Sequence, residues 1–487
     1  MRMVDSTGLR GAPLTNPFRN ILKLAAGDFF AKTLYFFSFV YLARVMGVNT
    51  YGVLEFANSL LTYLLLLADA GLEIWSTREA AQTSDIRRLI GRVMPLRFLT
   101  AGIAFAVLLG MLPLLPTFPY LRTVLVLFGL SLFAQAASLK WVLMGQEKMA
   151  RVAGGLVLAQ LVFAGSVFAF VRDPAHVVWV PVMKFASDAV LAIYFARQFA
   201  RSHGGLRLAL TFKGAWGTMR PVLTMGATNA MGLLNYNFDA VLLGFLKGPA
   251  TVGLYTAAYK PVTVALALPI TYFQGMFPAL SRMYVESREA FRSLAARSFR
   301  QSAIFALPVG VGGTLLAEPV IGLLFGAEYA EAAQPLRILI WSAVIVTLRG
   351  SYRHPLNAAG KQHLDFRAAV VSSILNVGLN ILLIPKFGMM GAACATVIGD
   401  SAWLVMAIFF YQREVGAMNP LPLLARPAIA AALMGGFLWY AQNIFWVWRA
   451  GIAAGIYFAV LLAMGEPEVR AWLQRRKVES DPYSKRA

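Results

Sequence analysis

The sequence predicts an all-α polytopic membrane protein of about 14 transmembrane helices, and three observations carry that reading. Its composition suits a chain whose main solvent is lipid: of 487 residues 59% are hydrophobic and 14% charged, and mean hydropathy is +0.64. Apolar segments of roughly 20 residues, enough to cross the hydrocarbon core as helices, recur along the whole chain. Lys and Arg alternate between rich and poor links joining those segments, as the positive-inside rule requires.

The first span is drawn over Phe18–Met46. The polar residues before it, with Pro13 and Pro17, form no cleavable signal, so this span itself serves as the insertion signal. Gly52–Ile74 follows, and the next link holds Arg78, Arg87, Arg88 and Arg92. Val93–Leu115 and Leu121–Met144 lead to Lys140, Lys148 and Arg151; Val152–Val171 and Val177–Ala196 lead to Arg197, Arg201, Arg207, Lys213 and Arg220. In the second half Val222–Leu246 and Gly253–Leu280 precede Arg282, Arg288, Arg292, Arg297 and Arg300. Gln301–Phe325 and Ala332–Leu356 precede the basic group of Arg349, Arg353, Lys361 and Arg367. Ala368–Ile384 and Gly391–Tyr411 precede Arg413 and Arg426, and Pro427–Tyr440 and Ile444–Met464 precede a basic tail. The alternate links keep only Arg44, Arg122, Arg172, Lys247, Lys386 and Arg449. Both termini are therefore expected in the cytoplasm, which requires an even number of spans. Phe291, Leu294 and Phe299, set among arginines in the link 281–300, predict an amphipathic helix on the inner surface, with a solvated charged linker as the alternative. Trp75 and Trp141 read as interfacial anchors at inner ends.

The formal net charge of +21 is spread over short cytoplasmic links facing anionic headgroups, so it implies a phospholipid partner and no nucleic acid. A single cysteine, Cys394, excludes an internal disulfide. The four histidines lack metal-ligand spacing and no Walker A loop is present, which argues against an enzyme, a metal or an ATP-driven pump.

The chain reads as duplicated. Gly47-Val-Asn-Thr-Tyr-Gly52 matches Gly248-Pro-Ala-Thr-Val-Gly253 at an offset of 201 residues. Gly145-Gln-Glu-Lys148 matches Gly360-Lys-Gln-His363 at an offset of 215, and the segment ending at Asp188 matches that ending at Asp400 at 212. Two six-span lobes of like orientation, related by an axis along the membrane normal, are the expected plan. The expected units are an N-lobe at 1–212, a C-lobe at 213–415, a final pair of spans at 416–466 and a basic tail at 467–487.

Ionisable residues at mid-membrane cost about 2.5–3.5 kcal/mol each on insertion scales, so those that persist mark an interior or a water-filled cavity. The cations are Lys32, Arg97, Lys184, Lys260 and Arg337, and the acids are Asp28, Asp69, Asp188, Asp239 and Asp400. Asp28 with Lys32, and Lys184 with Asp188, stand four apart and share a helix face, either as insertion-easing ion pairs or as functional groups. Asp239 and Lys260 lack an in-helix partner and are expected either to pair across helices or to serve function. For Arg97 the leading expectation is snorkelling to headgroups.

Tyr41-Leu-Ala-Arg-Val-Met-Gly47, Leu67-Ala-Asp-Ala-Gly-Leu-Glu73, Asp239-Ala-Val-Leu-Leu-Gly244, Val252-Gly-Leu-Tyr-Thr-Ala-Ala258 and Leu324-Phe-Gly-Ala-Glu-Tyr329 resemble the Wzx-type polysaccharide flippases. These belong to the superfamily that also holds MATE exporters and MurJ-like lipid II flippases. The resemblance implies a MATE-like pseudo-twofold pair of lobes. It also implies transfer of an undecaprenyl-diphosphate-linked oligosaccharide across the bacterial inner membrane by alternating access, alongside the polymerase and glycosyltransferases of the same pathway. The cations above would then hold the diphosphate, and the aspartates would balance charge or carry a coupling ion, Na+ or H+, with no resident cofactor. The competing readings are a MATE-like cation antiporter, a MurJ-like lipid II flippase and a membrane-embedded polymerase or ligase. The last usually needs a sizeable outer loop, which this chain lacks.

Overall fold

The computed structural model describes residues 17–205, 222 and 237–470, and all regular structure among them is helical. In chain order the helices are α1 (Pro17–Asp69), α2 (Leu72–Gln82), α3 (Ile86–Met111), α4 (Leu121–Ala136), α5 (Lys140–Gly145), α6 (Met149–Phe170) and α7 (Trp179–His203). They continue with α8 (237–247), α9 (Pro249–Glu286), α10 (Arg288–Leu315), α11 (Ala317–Phe325), α12 (Ala333–Ala358), α13 (Gln362–Glu414), α14 (Leu421–Tyr440) and α15 (Trp446–Ala463). Local chemistry sets several boundaries. Asp85 accepts from the Arg88 N–H at 3.1 Å to start α3, and Pro249, which has no N–H to leave unpaired, opens α9.

Two helices of 53 residues, α1 and α13, would each be about 80 Å long if straight, far more than a bilayer core. Both fold back on themselves. Lys260 Nζ lies 4.3 Å from the Phe39 ring centre and 2.9 Å from Glu55 Oε1, although 16 residues of unbroken helix would separate those two positions by about 24 Å. The reversal falls at Gly47, whose φ of 69° and ψ of 170° leave the helical region. In α13 the break is at Gly388, and Ser372 of one arm donates to the Gly399 carbonyl of the other at 2.8 Å.

Among the described residues ten helices are long and apolar enough to cross a membrane, or eleven with α10 and α11, bent by 78°, taken as one span. Counting both arms of α1 and α13 brings these to thirteen, and α8 ends the seventh expected span, most of which lies outside the described residues. The expected lobe boundary at 212/213, the residues from 471 and the Asp28 side chain also lie outside them.

The hydrophobic core divides unevenly between the two ends of the bundle. One cluster joins Phe39, Tyr51, Leu54 and Ala57 of the first lobe to Val252, Tyr255, Ile321 and Tyr329 of the second. At the basic end each lobe keeps its own cluster. Leu72, Ile90, Trp141 and Phe199, joined by Val222, form one; Leu280, Phe291, Tyr352 and Tyr411 form the other. The lobes thus share a core where Lys and Arg are sparse and have separate cores at the basic end.

The repeat is visible in backbone geometry. Gly47 and Gly248 take nearly the same conformation, with φ of 69° and 86° and ψ of 170° and 175°. Five residues on, Gly52 and Gly253 face each other, and a Cβ on either would strike the other lobe. At the basic end the repeat register is 213, and the offset of 215 read from sequence is corrected. Lys148 N–H donates to Leu143 O at 2.9 Å and Lys361 N–H to Leu356 O at 3.1 Å, closing equivalent turns in which Glu147 and Gly360 have positive φ.

Two further expectations are corrected. Residues 288–300 form no separate surface helix: Ser287 caps α10 through the Ala290 N–H at 3.2 Å, and Phe291 and Phe299 turn their apolar face into the C-lobe core. Trp75 and Trp141 are both buried in the N-lobe cluster, so they pack rather than anchoring in headgroups. The last pair, α14 and α15, lies against α10 of the C-lobe. Tyr457 donates to Ile304 O at 2.8 Å, and buried Glu466 sits near Arg300 and Arg426 at 3.5 and 3.7 Å.

Candidate functional site at the lobe interface

Lys260 lies on α9 two turns beyond Gly253, about 10 Å along the helix from the glycine contact. Across helices it pairs with Glu55, not with Asp239, the cross-helix partner that the sequence offers as one alternative. The carboxylate accepts from Lys260 Nζ at 2.9 Å and from the Tyr51 hydroxyl at 2.9 Å, while the ammonium also sits over the Phe39 ring. The side chains are 15% and 5% exposed, so the pair is largely desolvated and joins α9 of the C-lobe to both arms of the α1 hairpin. On the sparse side the seam continues through the facing glycines, the Tyr329 hydroxyl donating to Ala43 O at 2.9 Å, and Arg44, whose guanidinium donates to Leu324 O at 2.7 Å and to Leu323 O.

The other sequence candidates are dispersed. Lys184 and Asp188 form the expected pair on α7 at 2.5 Å, and Gln135 of α4 donates to Asp188 at 3.3 Å. Arg97 does not snorkel. It is buried in α3 and donates to Gln135 O at 3.0 Å, while its Nη1 has no hydrogen-bond partner among the described residues. With Asp69, Glu73 and Gln135 it lines a cavity of about 220 Å³ in the N-lobe. Asp69 has structural work there, accepting from the Gly71 and Glu73 N–H groups at 3.2 and 3.0 Å where α2 begins. Lys32 is exposed on α1. Arg337 bonds to Glu318 at 2.6 Å with 45% and 69% exposure, a surface pair between α12 and α11 that the fold does not bring to Lys260.

In the C-lobe, Asp239 is buried and accepts from the Tyr255 hydroxyl, from the Ala240 N–H at 2.8 Å and from Thr396 at 3.5 Å. Asp400 accepts from Ser342 and from Arg349, the latter at 3.0 Å, with the Arg349 guanidinium stacked 3.8 Å from the Trp403 ring centre. Arg349, expected with the basic residues of a cytoplasmic link, is 6% exposed inside α12. The missed residues are therefore Glu55 and Arg349. Glu55 falls inside the span drawn over Gly52–Ile74, and Arg349, although counted with the basic link, falls near the end of the span drawn over Ala332–Leu356; charge flanked by Leu54 and Phe56, or by Leu348 and Gly350, is the available signal.

Two helical lobes that share a core at one end and keep separate cores at the other, with an ion pair on the seam, are the arrangement of a multi-pass membrane protein of the transporter class. The family model described as polysaccharide biosynthesis protein matches residues 18–284, and that described as lipid II flippase MurJ matches residues 156–459. The chain belongs to the polysaccharide biosynthesis protein family and, over its second match, to the MurJ family. It is similar to a Haloferax volcanii protein named as a low-salt glycan biosynthesis flippase, 21% identical, covering 91% of this chain and 94% of that one. A Shigella dysenteriae protein named as an O-antigen transporter is 24% identical over 78% of this chain and 96% of its own length. Among solved structures, lipid II flippase MurJ in an inward closed conformation aligns with a TM-score of 0.77 at 13% identity, covering 93% of this chain and all of that one. An inward-facing MATE family multidrug transporter aligns at 0.65 and 13% identity, over 79% and 94%.

Proposed function

We propose that this chain is a flippase that carries an undecaprenyl-diphosphate-linked oligosaccharide unit from the inner to the outer leaflet of a bacterial inner membrane, for cell-surface polysaccharide synthesis. The observation that carries the reading is the divided core with Lys260 on the seam: the lobes share one core at the sparse end and keep separate cores at the basic end, and the seam holds a cation suited to phosphate oxygens. On the positive-inside rule the basic end is the cytoplasmic one, with both termini there and the separate cores of the two lobes on the inner side. The names of the glycan flippase and O-antigen transporter relatives support the same cargo class.

Lys260 is the first candidate for the diphosphate, with Lys32 on the neighbouring α1; the Lys184 and Arg97 groups lie deeper in the N-lobe. Asp239, with Tyr255 and Thr396 beside it, is the candidate for a coupling Na+ or H+, and Asp400 balances Arg349. The protein acts as a transporter with no chemical step of its own, passing its cargo from glycosyltransferases to a polymerase. Deleting the gene in its own host tests the reading: lipid-linked oligosaccharide should accumulate on the inner leaflet and surface polymer should fall. Unchanged polymer, with loss of cation efflux instead, would favour the MATE-like alternative.

A further inference from the structure

The proposed transport leaves one buried charge at the seam without a task. Glu55 holds a negative charge at 5% exposure, satisfied by the Tyr51 hydroxyl and by Lys260 across the lobe interface. The remaining sparse-end contacts are of another kind. Gly52 against Gly253, Tyr329 on Ala43 O, and Arg44 on the Leu323 and Leu324 carbonyls fix geometry through backbone groups. Among the described residues the Glu55 and Lys260 pair joins two side-chain charges across the seam, where an anionic ligand can replace one of them.

We propose that Glu55 is a substrate-displaceable lock: its carboxylate holds Lys260 and the sparse-end closure when no cargo is bound, and a diphosphate that takes Lys260 releases both. The inference rests on the flippase reading for the identity of the cargo. A diphosphate carries more charge than a carboxylate and offers several oxygens to one ammonium, so it competes for Lys260 where a neutral sugar does not. Once Lys260 turns to the ligand, Glu55 keeps a single hydroxyl in a low-dielectric seam, an uncompensated charge that is strongly unfavourable. Parting of the lobes at that end lets water reach it. Ligand binding and opening are then coupled, and Glu55 makes the protein selective for cargo with an anionic headgroup.

The test uses the full chain in nanodiscs, with Cys394→Ala and spin labels at Arg122→Cys and Glu331→Cys, exposed positions of the two lobes at the sparse end. Inorganic pyrophosphate is the probe and glucose the neutral control. Unliganded protein should show a short inter-label distance, and pyrophosphate should raise the ratio of long to short distances about tenfold or more, a coupling of ordinary size. Glu55→Gln and Lys260→Gln should each lengthen the distance without ligand, and Lys260→Gln should abolish the pyrophosphate response. The exchange Glu55→Lys with Lys260→Glu should restore the short distance but not the response. Single variants that keep the short distance and the full response would overturn the lock, and so would an exchanged pair that stays open. No lipid-linked sugar is present, so a working lock together with unchanged surface polymer in the deletion strain would defeat the flippase reading alone.

Discussion

Substituting Gly52 by alanine places the smallest possible wedge on the seam. A Cβ built on Gly52 would lie 1.8 Å from the Pro249 carbonyl oxygen, and one on Gly253 would lie 2.4 Å from Val48 O. Carbon-to-oxygen contacts settle at about 3.3 Å or more, so α1 and α9 must separate by roughly 1.5 Å at Gly52 and 0.9 Å at Gly253. The obstructing atoms are backbone, which no side-chain rotation can move aside. Overpacking of this kind costs about 1–3 kcal/mol, and here the cost falls only on the conformation in which the lobes touch. The ratio of parted to touching states should therefore rise by about 5- to 150-fold, more for Gly52→Ala than for Gly253→Ala. Distances between spin labels at positions 122 and 331 read that ratio directly. Gly102→Ala, where no atom lies within 4 Å of the added Cβ, is the control and should leave the distances unchanged. If Gly52→Ala behaves like this control in both distance and thermal stability, the glycines are not a lobe-to-lobe contact and the divided-core account fails.

Three other outcomes follow from the charges. Asp400→Ala strands Arg349 inside α12 and should destabilise the protein by about 3–5 kcal/mol in a thermal-shift assay, whereas replacing both by Leu and Met should cost far less; equal losses would show that the pair does not act as a unit. Arg337→Ala removes an exposed ion pair and should change stability by no more than about 1 kcal/mol; a larger loss would place it in the interior. Lys361 and Glu414 form a partly exposed pair at 2.8 Å that raises the lysine pKa and lowers that of the carboxylate. Glu414 therefore adds stability above the usual carboxylate range and loses it as pH falls through its lowered value, while the Lys361 contribution disappears as pH rises through its raised one. Glu414→Gln should narrow the melting difference from wild type at acid pH, and a difference that does not vary with pH would refute the pairing.

The class of fold was legible because lipid imposes it: apolar length and basic alternation are properties of the sequence itself, and Gly47 with Gly248 announced the repeat. The site was legible only in part. Lys184 and Asp188 are four apart on one helix, so their pairing needed no tertiary knowledge. Lys260 could be recognised as an intramembrane cation, but its partner Glu55 is more than two hundred residues away and meets it only because α1 reverses at Gly47. Arg97 and Trp141 were misplaced for a related reason. Position along a span indicates depth, whereas burial depends on which neighbour covers that face of the helix, and here other helices cover both.

The measurement closest to the central claim is transbilayer movement of a fluorescent undecaprenyl-diphosphate-linked oligosaccharide in liposomes containing the purified chain, read by quenching of the outward-exposed label. The account predicts rapid protein-dependent exposure of the lipid-linked sugar, slowed strongly by Lys260→Gln in protein that remains folded. Lipid-linked sugar that stays in its leaflet while the same liposomes export a cationic dye down a Na+ or H+ gradient would contradict it.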